Sequence, residues 1–488
     1  MAGNMAKSRV SIPWAGQIMS MPAGLGQASP PPLRHAVVIG GSIAGLLAAR
    51  VLSDHAERVT IVERDRLDGG PWARKGVPQG SHVHALLVRG RSILEALLPG
   101  LSAELLQDGA ALVRCGRDLA WHYLGGWRAA HESELAFLCA SRPLLEVRVA
   151  ARVRALPNVA VRDQVRVEGL ESDGRGRVTG VRVHGRQASR ETIAADLVVD
   201  AAGRGSALPH WLAEIGFDPP PVERLPTSVG YASRVFRRPD QVRTWQALIV
   251  NDAAQGKRTG LILPIEGERW LVTLVGFLGQ SMPQDHNTFL AFARALPAPD
   301  LYQAIRDAEP LSCIASFRFP GSQRHRYAAL DRMPEGVIAL GDAVSSFNPV
   351  YGQGMTVGAI EAEMLGRLLA RARGQGGLPP DFGRRWFRAI EPVVDAAWNA
   401  VTLEDLRFPE LAHLRSAKHR ALHWYTRHLH RATHRSALAT DRFYRVMNFL
   451  APPGTLFCPR LVAEIFLRRP SWTPPCLAPS LPPPMPPG

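Results

Sequence analysis

Residues 35–65, HAVVIGGSIAGLLAARVLSDHAERVTIVERD, constrain the fold more than any other part of the chain. The apolar run AVVIG predicts a buried strand, SIAGLLAARVLS has apolar residues at helical spacing, and RVTIVE predicts a second strand. A glycine-rich turn between such a strand and helix is where the pyrophosphate of a dinucleotide lies on a helix N-terminus. We therefore predict an α/β fold that contains a Rossmann-like dinucleotide-binding unit.

The predicted turn departs from the pattern G-x-G-x-x-G at one position. Ser42 stands where the second glycine lets the backbone approach the phosphate, and its hydroxyl could cap the helix or touch the phosphate. Glu63 ends the second strand about 20 residues after the turn, where a carboxylate holds a ribose hydroxyl. The predicted cofactor-binding residues of this unit are Gly40, Gly41, Ser42, Ala44, Gly45, Glu63 and Arg64.

A second glycine-containing turn lies in GDAVSSFNPVYGQGM, residues 341–355. The run GVIAL before it predicts a strand, and MTVGAIEAEMLGRLLARA after it predicts a helix. Asp342 then follows a strand end, where ligands bind in open α/β sheets. Gly352 and Gly354 fall at a helix N-terminus, whose unpaired N–H groups and positive dipole end favour an anionic group.

Two such turns about 300 residues apart, both directed at one ligand, are typical of flavoproteins. The sequence resembles the single-component, group A FAD-dependent monooxygenases, whose fold is hydroxybenzoate-hydroxylase-like. Their motif GDAxH…P…GQG is matched by Gly341, Asp342, Pro349 and the Gly-Gln-Gly at 352–354, but Val344 and Ser345 stand in place of the usual histidine. The resemblance implies that Asp342 and Gly341 bind the ribityl chain of FAD, and that Gly352, Gly354 and Met355 lie beside its isoalloxazine ring. It also implies that Pro349 and Gln353 position the flavin.

Three stretches look most like the bacterial branch that contains polyether-pathway olefin epoxidases. They are FNPVYGQGM, RKGVPQGSHVHALLVRG at 74–90 and SRPLLEVRV at 141–149. The resemblance implies that Arg74, in a loop with His82 and His84, lies near the flavin, and that Arg142 opens a helix used against FAD. Two alternatives remain: the histidines cap the next helix from a surface loop, or Arg142 starts a solvated helix.

The middle motif of the family is altered in this chain. In ADLVVDAAGRGS, residues 195–206, Ala202 stands at the usual aspartate position when Gly203 and Ser206 are aligned. The arginine that usually follows the serine is absent, since ALPHWL comes next. This departure leaves the use of NAD(P)H, and the choice between NADH and NADPH, open.

The chain divides into five predicted parts. We expect a disordered leader at 1–33, a discontinuous GR2-type FAD-binding domain at 34–205 and 330–400, and a β-sheet substrate domain at 206–329. A helical C-terminal region at 401–469 and a Pro-rich tail at 470–488 follow. Residues 159–196 predict a β-meander. Tyr231, Phe277 and Phe317 are candidate walls of a substrate pocket, or simply core of the second sheet.

Composition favours some partners and argues against others. The net charge of +15 comes almost entirely from arginine, an excess typical of GC-rich genomes, and no nucleic-acid-binding motif accompanies it. The five cysteines are far apart and form no metal-binding pattern, which fits a reducing cytoplasm. The histidine pairs at 419/423 and 430/434 fit a solvated helical face better than a metal site. The basic helical region is compatible with contact to a carrier protein or a membrane surface, and no spanning segment is present.

The resemblance implies that NAD(P)H reduces FAD and that O2 adds at C4a. The resulting hydroperoxyflavin then transfers one oxygen atom to a small apolar substrate. A phenol would need a base to remove its proton, whereas an alkene needs only a dry pocket. Because the second lobe offers no strong base candidate, we name no catalytic acid or base and favour epoxidation of an alkene in secondary metabolism.

Several other reactions are compatible with this fold. An aromatic hydroxylase of the same family, a flavin-dependent reductase of a polyprenyl-like substrate, and a non-enzymatic FAD-binding partner remain alternatives. A flavin halogenase would carry a WxWxIP run and a reactive lysine. Here the nearest stretch, TGLILPIE, has no tryptophan, and Lys75 is the only lysine near the flavin motifs.

Overall fold

The structure, a computed structural model, describes residues 33–467 except 68–69, 71–73, 75, 186–189, 241–242 and 253–256, and only the backbone of Pro78. Most of the predicted leader, the whole Pro-rich tail and Lys75 therefore lie outside the described residues. Leu33 does not belong to a leader, because it is the first residue of a strand.

The described residues form strands that group into five sheets. The strands are β1 Leu33–Ile39, β2 Ala56–Glu63, β3 Ala85–Leu86, β4 Ala111–Arg114, β5 Leu119–Tyr123, β6 Gly126–Trp127, β7 Ala136–Cys139, β8 Val159–Asp163, β9 Arg166–Ser172, β10 Val178–His184, β11 Arg190–Ala194, β12 Leu197–Asp200, β13 Val222–Leu225, β14 Val229–Arg237, β15 Ala247–Asn251, β16 Arg258–Ile265, β17 Arg269–Phe277, β18 Ala315–Phe319, β19 Ser322–His325, β20 Val337–Ala339 and β21 Ser345–Ser346.

Helices cover both the parallel sheet and the far side of the second sheet. They are α1 Ile43–Ser53, α2 Val88–Leu97, α3 Leu101–Gln107, α4 Arg142–Arg154, α5 Leu208–Glu214, α6 His286–Arg294, α7 Asp300–Ile305, α8 Gly354–Gly374, α9 Phe382–Asp405, α10 Ala417–Ala432, α11 Ala437–Met447 and α12 Pro459–Phe466.

The first layer is a five-stranded parallel sheet in the order β20-β12-β1-β2-β8. Its central strand β1 is buried from Ala36 to Ile39, because helices cover both faces of such a sheet and favour a continuous apolar run. Helices α1 and α8 pack against each other beside this sheet. The predicted α/β fold and its β1–α1–β2 unit are confirmed.

The second layer is a seven-stranded sheet in the order β18-β14-β17-β16-β15-β5-β6. Its β16–β17 hairpin turns at Gly267 and Glu268, which both have positive φ, as a tight hairpin requires. Strands β5 and β6 come from residues 119–127, before the predicted limit at 205, and β5 pairs in parallel with β15. The domain limits remain predictions, but this pairing joins the two predicted domains through one sheet.

The predicted β-meander at 159–196 is wrong in one part. Strand β8 leaves the meander and pairs in parallel with β2 at the edge of the first sheet. Only β9, β10 and β11 form an antiparallel sheet of their own. Short alternating strands carry no signal for which neighbour they pair with, so the pattern could not reveal this.

The C-terminal region is helical, as predicted, and it covers the second sheet. Phe443 and Tyr444 of α11 are buried with Val113 of β4 and Leu263 of β16 in one apolar cluster. The N-terminal half, the second sheet and the C-terminal helices therefore share a core. In the part of the chain described here, no helix combines the length and apolarity needed to cross a bilayer.

Candidate active site

The predicted glycine turn forms between β1 and α1 and leaves no room for side chains. At Gly40, where φ is +104°, an added Cβ would lie 2.5 Å from the carbonyl oxygen of Ala201. At Gly45, an added Cβ would lie 1.9 Å from the carbonyl oxygen of Gly40. Only glycine fits either position, so the strand and helix approach closely enough to present the N-terminus of α1 to a ligand.

Ser42 is the N-cap of α1, but its hydroxyl does not cap the helix. The hydroxyl donates to Glu146 Oε1 at 2.6 Å and accepts from Arg142 Nη2 at 2.9 Å. Arg142 is buried at the start of α4, which excludes a solvated helix start. Arg74 reaches the same carboxylate, with Nη2 at 2.7 Å from Glu146 Oε2. The structure thus brings the three predicted residues Ser42, Arg74 and Arg142 together.

Glu146 is the shared acceptor of this network, and the sequence analysis did not identify it. Burial alone would raise its pKa, but Arg142 and Arg74 lower the pKa of Glu146 to about 2. Glu146 lies four residues after Arg142 on α4, so the i, i+4 spacing of opposite charges was the available signal.

Glu63 lies at the end of β2 directly against the turn. Its Oε2 accepts from the Gly41 N–H at 2.6 Å, and its Oε1 accepts from the Asp65 N–H at 2.8 Å. Each carboxylate oxygen has further acceptor capacity, which a ribose hydroxyl could use. The neighbouring Arg64 is exposed.

The second predicted turn meets the first. Gly341 follows β20 with φ of +65°, and an added Cβ there would lie 2.9 Å from Cβ of Ala44 in α1. Its N–H donates to Glu361 Oε2 of α8 at 2.5 Å. Burial raises the pKa of Asp342 to about 6, although Arg142 and Arg204 act in the opposite direction. The expected convergence of two elements about 300 residues apart is present in the fold.

Residues 349–353 form a loop that leads into α8. Gly352 has φ of +67° with open space where a Cβ would stand, and Gln353 is the N-cap of α8. A Cβ on Gly354 would lie 3.6 Å from Asp342 Oδ1, so the helix N-terminus and the aspartate face one region. The Oε1 of Gln353 is buried without a hydrogen-bond partner. The following Met355 is partly buried against the main core cluster.

These residues fit FAD. Glycine turns without space for a Cβ suit a pyrophosphate. Glu63 at the end of β2 and Asp342 just after β20 lie where sugar hydroxyls would be held. The open space beside Gly352 and the unpaired oxygen of Gln353 leave room and a polar group for the ring. The chemistry of this cleft is therefore compatible with FAD.

Arg204 is a further residue beside this cleft that the sequence analysis passed over. It lies in the turn Gly203–Gly205, with its guanidinium 4.8 Å from the ring centroid of Phe319 and its Nη1 buried without a hydrogen-bond partner. The family pattern led us to look for an arginine after Ser206, whereas this arginine precedes it. Asp200 of the same motif is fully buried and holds the turn by accepting from the Ala202 N–H at 2.9 Å and from the Ser206 hydroxyl.

A cavity of about 440 Å³ adjoins the 349–353 loop. Its walls come from the second sheet, the β5–β6 hairpin and helices α9 to α11. The proposed pocket residues Tyr231, Phe277 and Phe317 all line it. The lining is mostly apolar and aromatic, as in sites for small organic ligands.

His82 also lines the cavity, and it does not cap a helix, since α2 begins at Val88 with no side-chain cap. Its Nδ1 lies 2.7 Å from Ser233 Oγ, and its Nε2 is buried without a partner. Burial lowers the pKa of His82 to about 4. Burial, followed by the charge of Arg142, lowers the pKa of the neighbouring His84 to about 3.

Two histidines of the C-terminal helical region contact backbone carbonyl oxygens of the protein. His423 Nε2 lies 2.7 Å from the Leu403 carbonyl oxygen, and His434 Nε2 lies 2.9 Å from the Tyr123 carbonyl oxygen. Among the residues with described positions, no group of three His, Cys, Asp or Glu is arranged to hold a metal ion.

Comparison with known sequences identifies relatives. The sequence model of FAD dependent oxidoreductases matches residues 36–217. Protein Rv3254 of Mycobacterium tuberculosis (strain ATCC 25618 / H37Rv) is 37% identical over 391 residues, which are 77% of this chain and 81% of that protein. Kynurenine 3-monooxygenase of Salinispora arenicola (strain CNS-205) is 30% identical over 345 residues, 65% of this chain and 68% of that protein.

Among solved structures, p-nitrophenol 4-monooxygenase PnpA from Pseudomonas putida DLL-E4 superposes with a TM-score of 0.60. The match covers 86% of this chain and 98% of that chain at 17% identity. Identity this low establishes a shared fold only.

Proposed function

The chain belongs to the family of FAD-dependent oxidoreductases, and we propose that it is a monooxygenase that transfers one oxygen atom from O2 to an apolar organic substrate. In the reaction that we favour, the acceptor is an alkene, which is converted to an epoxide. The second oxygen atom leaves as water, and NAD(P)H with a proton supplies the two electrons and the hydrogens. The similarity to a kynurenine 3-monooxygenase supports oxygen transfer as the reaction class.

The observation that carries this proposal is the position of the cavity. Its wall includes residues 349–353, the loop that we assign to the isoalloxazine ring, and its other walls are apolar and aromatic. A substrate held there lies against the flavin and away from bulk water. Such a site suits chemistry that needs positioning and dryness more than proton transfer.

The roles of the residues around the cofactor follow from their places in the fold. The N-terminus of α1, with Gly40, Gly41, Ser42 and Gly45, would bind the pyrophosphate, and Glu63 a ribose hydroxyl. Asp342 would accept hydrogen bonds from the ribityl chain. The chemistry that bound FAD supplies is two-electron oxidation and reduction and the activation of O2.

Two further groups would act on the ring and the surrounding charge. The N-terminus of α8 would direct its free N–H groups at the pyrimidine edge and favour the reduced, anionic ring. Arg74 and Arg142 hold a positive charge beside the α1 turn, where Glu146 keeps both guanidinium groups in place. Pro349 and Gln353 would position the flavin.

The position and burial of His82 favour an alkene over a phenol as the substrate. His82 is the histidine on the wall formed by Tyr231 and Phe317, and burial lowers its pKa to about 4, so it is a weak base. A weak base does little to remove a phenol proton, whereas epoxidation of an alkene requires no base. Hydroxylation of an aromatic ring is the second candidate, because the unpaired Nε2 of His82 could accept a hydrogen bond from a phenol.

The test uses two probes of matched size with the FAD-loaded protein, trans-stilbene as the alkene and 4-hydroxybibenzyl as the phenol. Each is incubated with NADPH or NADH under ¹⁸O2, and the products are examined by mass spectrometry. We expect stilbene oxide that contains one ¹⁸O atom, and no product with the Asp342→Ala variant, which should lose FAD.

The other outcomes separate the alternatives. A hydroxylated bibenzyl without epoxide would replace the alkene by the aromatic hydroxylation. Bibenzyl formed from stilbene would identify a reductase. If the enzyme oxidises NAD(P)H neither with a probe nor without one, the proposal is contradicted. The protein would then be an FAD-binding partner, or it would take its electrons from another donor.

A further inference from the structure

We propose that the cavity binds a carboxylate of the substrate at Arg128, so that the substrate is an apolar molecule with one acidic end. This inference rests on the proposed function only in taking the cavity to be the substrate site. It adds the chemical class of the substrate, which the sequence motifs do not specify.

Arg128 follows β6 on the β5–β6 hairpin and lines the cavity, with 8% of its surface exposed. Two aromatic rings contact its guanidinium group: the carbon Cζ lies 4.3 Å from the ring centroid of Trp121 and 3.9 Å from that of Phe443. The two ring centroids are 5.7 Å apart, so the rings lie on adjacent sides of the guanidinium, and a further partner can bind only on the sides that they leave free.

The edge of this guanidinium is only partly used. Nη1 donates to Thr433 Oγ1 at 2.8 Å, and Nη2 lies 3.3 Å from His430 Nδ1. Nε is buried without a hydrogen-bond partner. Among the described residues, no carboxylate lies within ion-pair distance of Arg128. Of the five N–H groups of an arginine, three therefore have no partner in the described part of the chain.

The nearest carboxylate already has other partners. Among the described residues that line the cavity, Glu404 is the only acidic one, and Arg407 donates to it from Nε at 2.9 Å. The Tyr123 hydroxyl donates to the same carboxylate at 2.6 Å. Arg407 therefore binds Glu404 directly, whereas Glu404 acts on Arg128 only from beyond ion-pair distance, so the described cavity wall gives Arg128 no carboxylate in direct contact.

The remaining groups near Arg128 do not supply a negative charge. Burial is the main cause that lowers the pKa of His430 to about 4, so this histidine is neutral at pH 7. Burial raises the pKa of Tyr444 above its usual value, so its hydroxyl stays protonated. Burial lowers the pKa of Arg128 only to about 10, which leaves the arginine charged.

An unbalanced buried charge is unfavourable unless a ligand supplies the counterion. A carboxylate matches the planar edge of a guanidinium and can accept two of its N–H groups at once. The hairpin that carries Arg128 and the 349–353 loop both line the cavity. A substrate with its carboxylate at Arg128 would extend its apolar part over the aromatic side chains toward the flavin.

The test compares two ligands of nearly equal shape, the charged trans-stilbene-4-carboxylate and the neutral trans-stilbene-4-carboxamide. Their dissociation constants are measured by isothermal titration calorimetry with the FAD-loaded protein at pH 7. We expect the carboxylate to bind at least about tenfold more tightly than the amide, the effect of one charge-assisted hydrogen-bonded pair. Arg128→Met should weaken the binding of the carboxylate, leave the binding of the amide unchanged, and so remove this preference.

Two further variants make the result specific. Arg427→Met removes an exposed arginine of α10 and should leave the preference unchanged, because its charge is screened by solvent. Arg128→Lys keeps the charge without the planar edge and should show a reduced preference. If Arg128→Met does not fold, the wild-type comparison and the lysine variant still decide.

Equal affinity of the wild-type protein for both probes would overturn the inference, as would a preference that Arg128→Met retains. The result is independent of oxygen transfer, because calorimetry measures binding alone. An acid preference without epoxidation would contradict the proposed reaction and leave the carboxylate site standing. Epoxidation of neutral stilbene without a preference for the acid would overturn the carboxylate site and leave the proposed reaction standing.

Discussion

Glu361 of α8 places a second carboxyl group behind Asp342, in a fully buried position. One of its oxygens accepts the Gly341 N–H at 2.5 Å, and the other has no hydrogen-bond partner. Burial, with a smaller contribution from Asp342, raises the pKa of Glu361 to about 8. The glutamic acid is therefore protonated at neutral pH, and the cofactor cleft does not hold two adjacent negative charges.

This protonation makes stability depend on pH. The folded protein keeps the Glu361 proton up to pH about 8, whereas the unfolded chain loses it near pH 4.5. The free energy of unfolding should therefore fall as pH rises between these values. In the Glu361→Gln variant, which retains an acceptor for Gly341, this contribution is absent. We expect the variant to gain at least about 1.4 kcal/mol on the wild type between pH 5 and pH 8, the value of one pKa unit.

Urea unfolding followed by circular dichroism at several pH values measures this difference. Glu363→Gln is the matched control, because Glu363 lies two residues further along α8 and forms an ion pair with Arg89 at 2.7 Å. The control should retain the wild-type fall. Parallel curves for wild type and Glu361→Gln would contradict the assignment of a neutral Glu361.

At the scale of elements, the end of α9 connects the 349–353 loop to the second sheet. Asp405, the last residue of α9, accepts from the Tyr351 hydroxyl at 2.8 Å, from Asn348 Nδ2 at 3.0 Å and from Thr227 Oγ1 at 2.8 Å. Asn348 in turn accepts from the Tyr231 hydroxyl at 3.0 Å. A carboxylate at a helix C-terminus is unfavourable for the helix, so these three donors explain its presence there.

Removing this acceptor should loosen the loop beside the cavity. Asp405→Ala removes the shared acceptor of three donors, of which Asn348 and Thr227 are buried, and should lower the free energy of unfolding by about 3 kcal/mol. Tyr351→Phe removes one hydrogen bond and leaves Asp405 two donors, so a loss of about 1 kcal/mol is expected. Thermal unfolding and limited proteolysis of the loop measure both effects. Equal losses in the two variants would show that Asp405 does not organise the loop.

The elements that the sequence predicted are those defined by local patterns. The β1–α1–β2 unit, the strand before Gly341 and the helix after Gly354 each follow from spacing within a short segment. Partners across the chain did not follow. The β5–β15 pairing and the contact between Arg128 and Thr433, 305 residues apart, depend on how the parts pack together.

The same division applies to the candidate site. Ser42, Arg74 and Arg142 were predicted to lie near one ligand, and the structure brings them together. Glu146, which holds them, and Arg204, which stands before Ser206 instead of after it, were not predicted. A family motif predicts only the positions that belong to it. Side chains outside the motif that contact these positions through local packing cannot be predicted in this way.

At the scale of the whole molecule, the cavity exists only where three parts of the chain meet. Strand β5 from the first half of the chain pairs with β15 of the second sheet, and α10 and α11 cover this junction. Arg128 hydrogen-bonds to Thr433 just after α10, and the ring of Phe443 in α11 lies against its guanidinium. The C-terminal helices therefore complete both the core and the proposed carboxylate site.

Deletion of residues 416–488 should consequently remove the cavity, because Val113 and Leu263 would lose the covering side chains Phe443 and Tyr444. We expect aggregated protein, or soluble protein that no longer binds trans-stilbene-4-carboxylate, as judged by size-exclusion chromatography, FAD content and calorimetry. The matched control deletes only the Pro-rich tail at 470–488 and should retain both FAD and probe binding. Phe443→Ala tests the same point in the full chain. The variant should stay folded with a free energy of unfolding lower by about 3–5 kcal/mol, and it should bind the probe more weakly. Full probe affinity in the long deletion would show that the second sheet and the β5–β6 hairpin form the site without the helices.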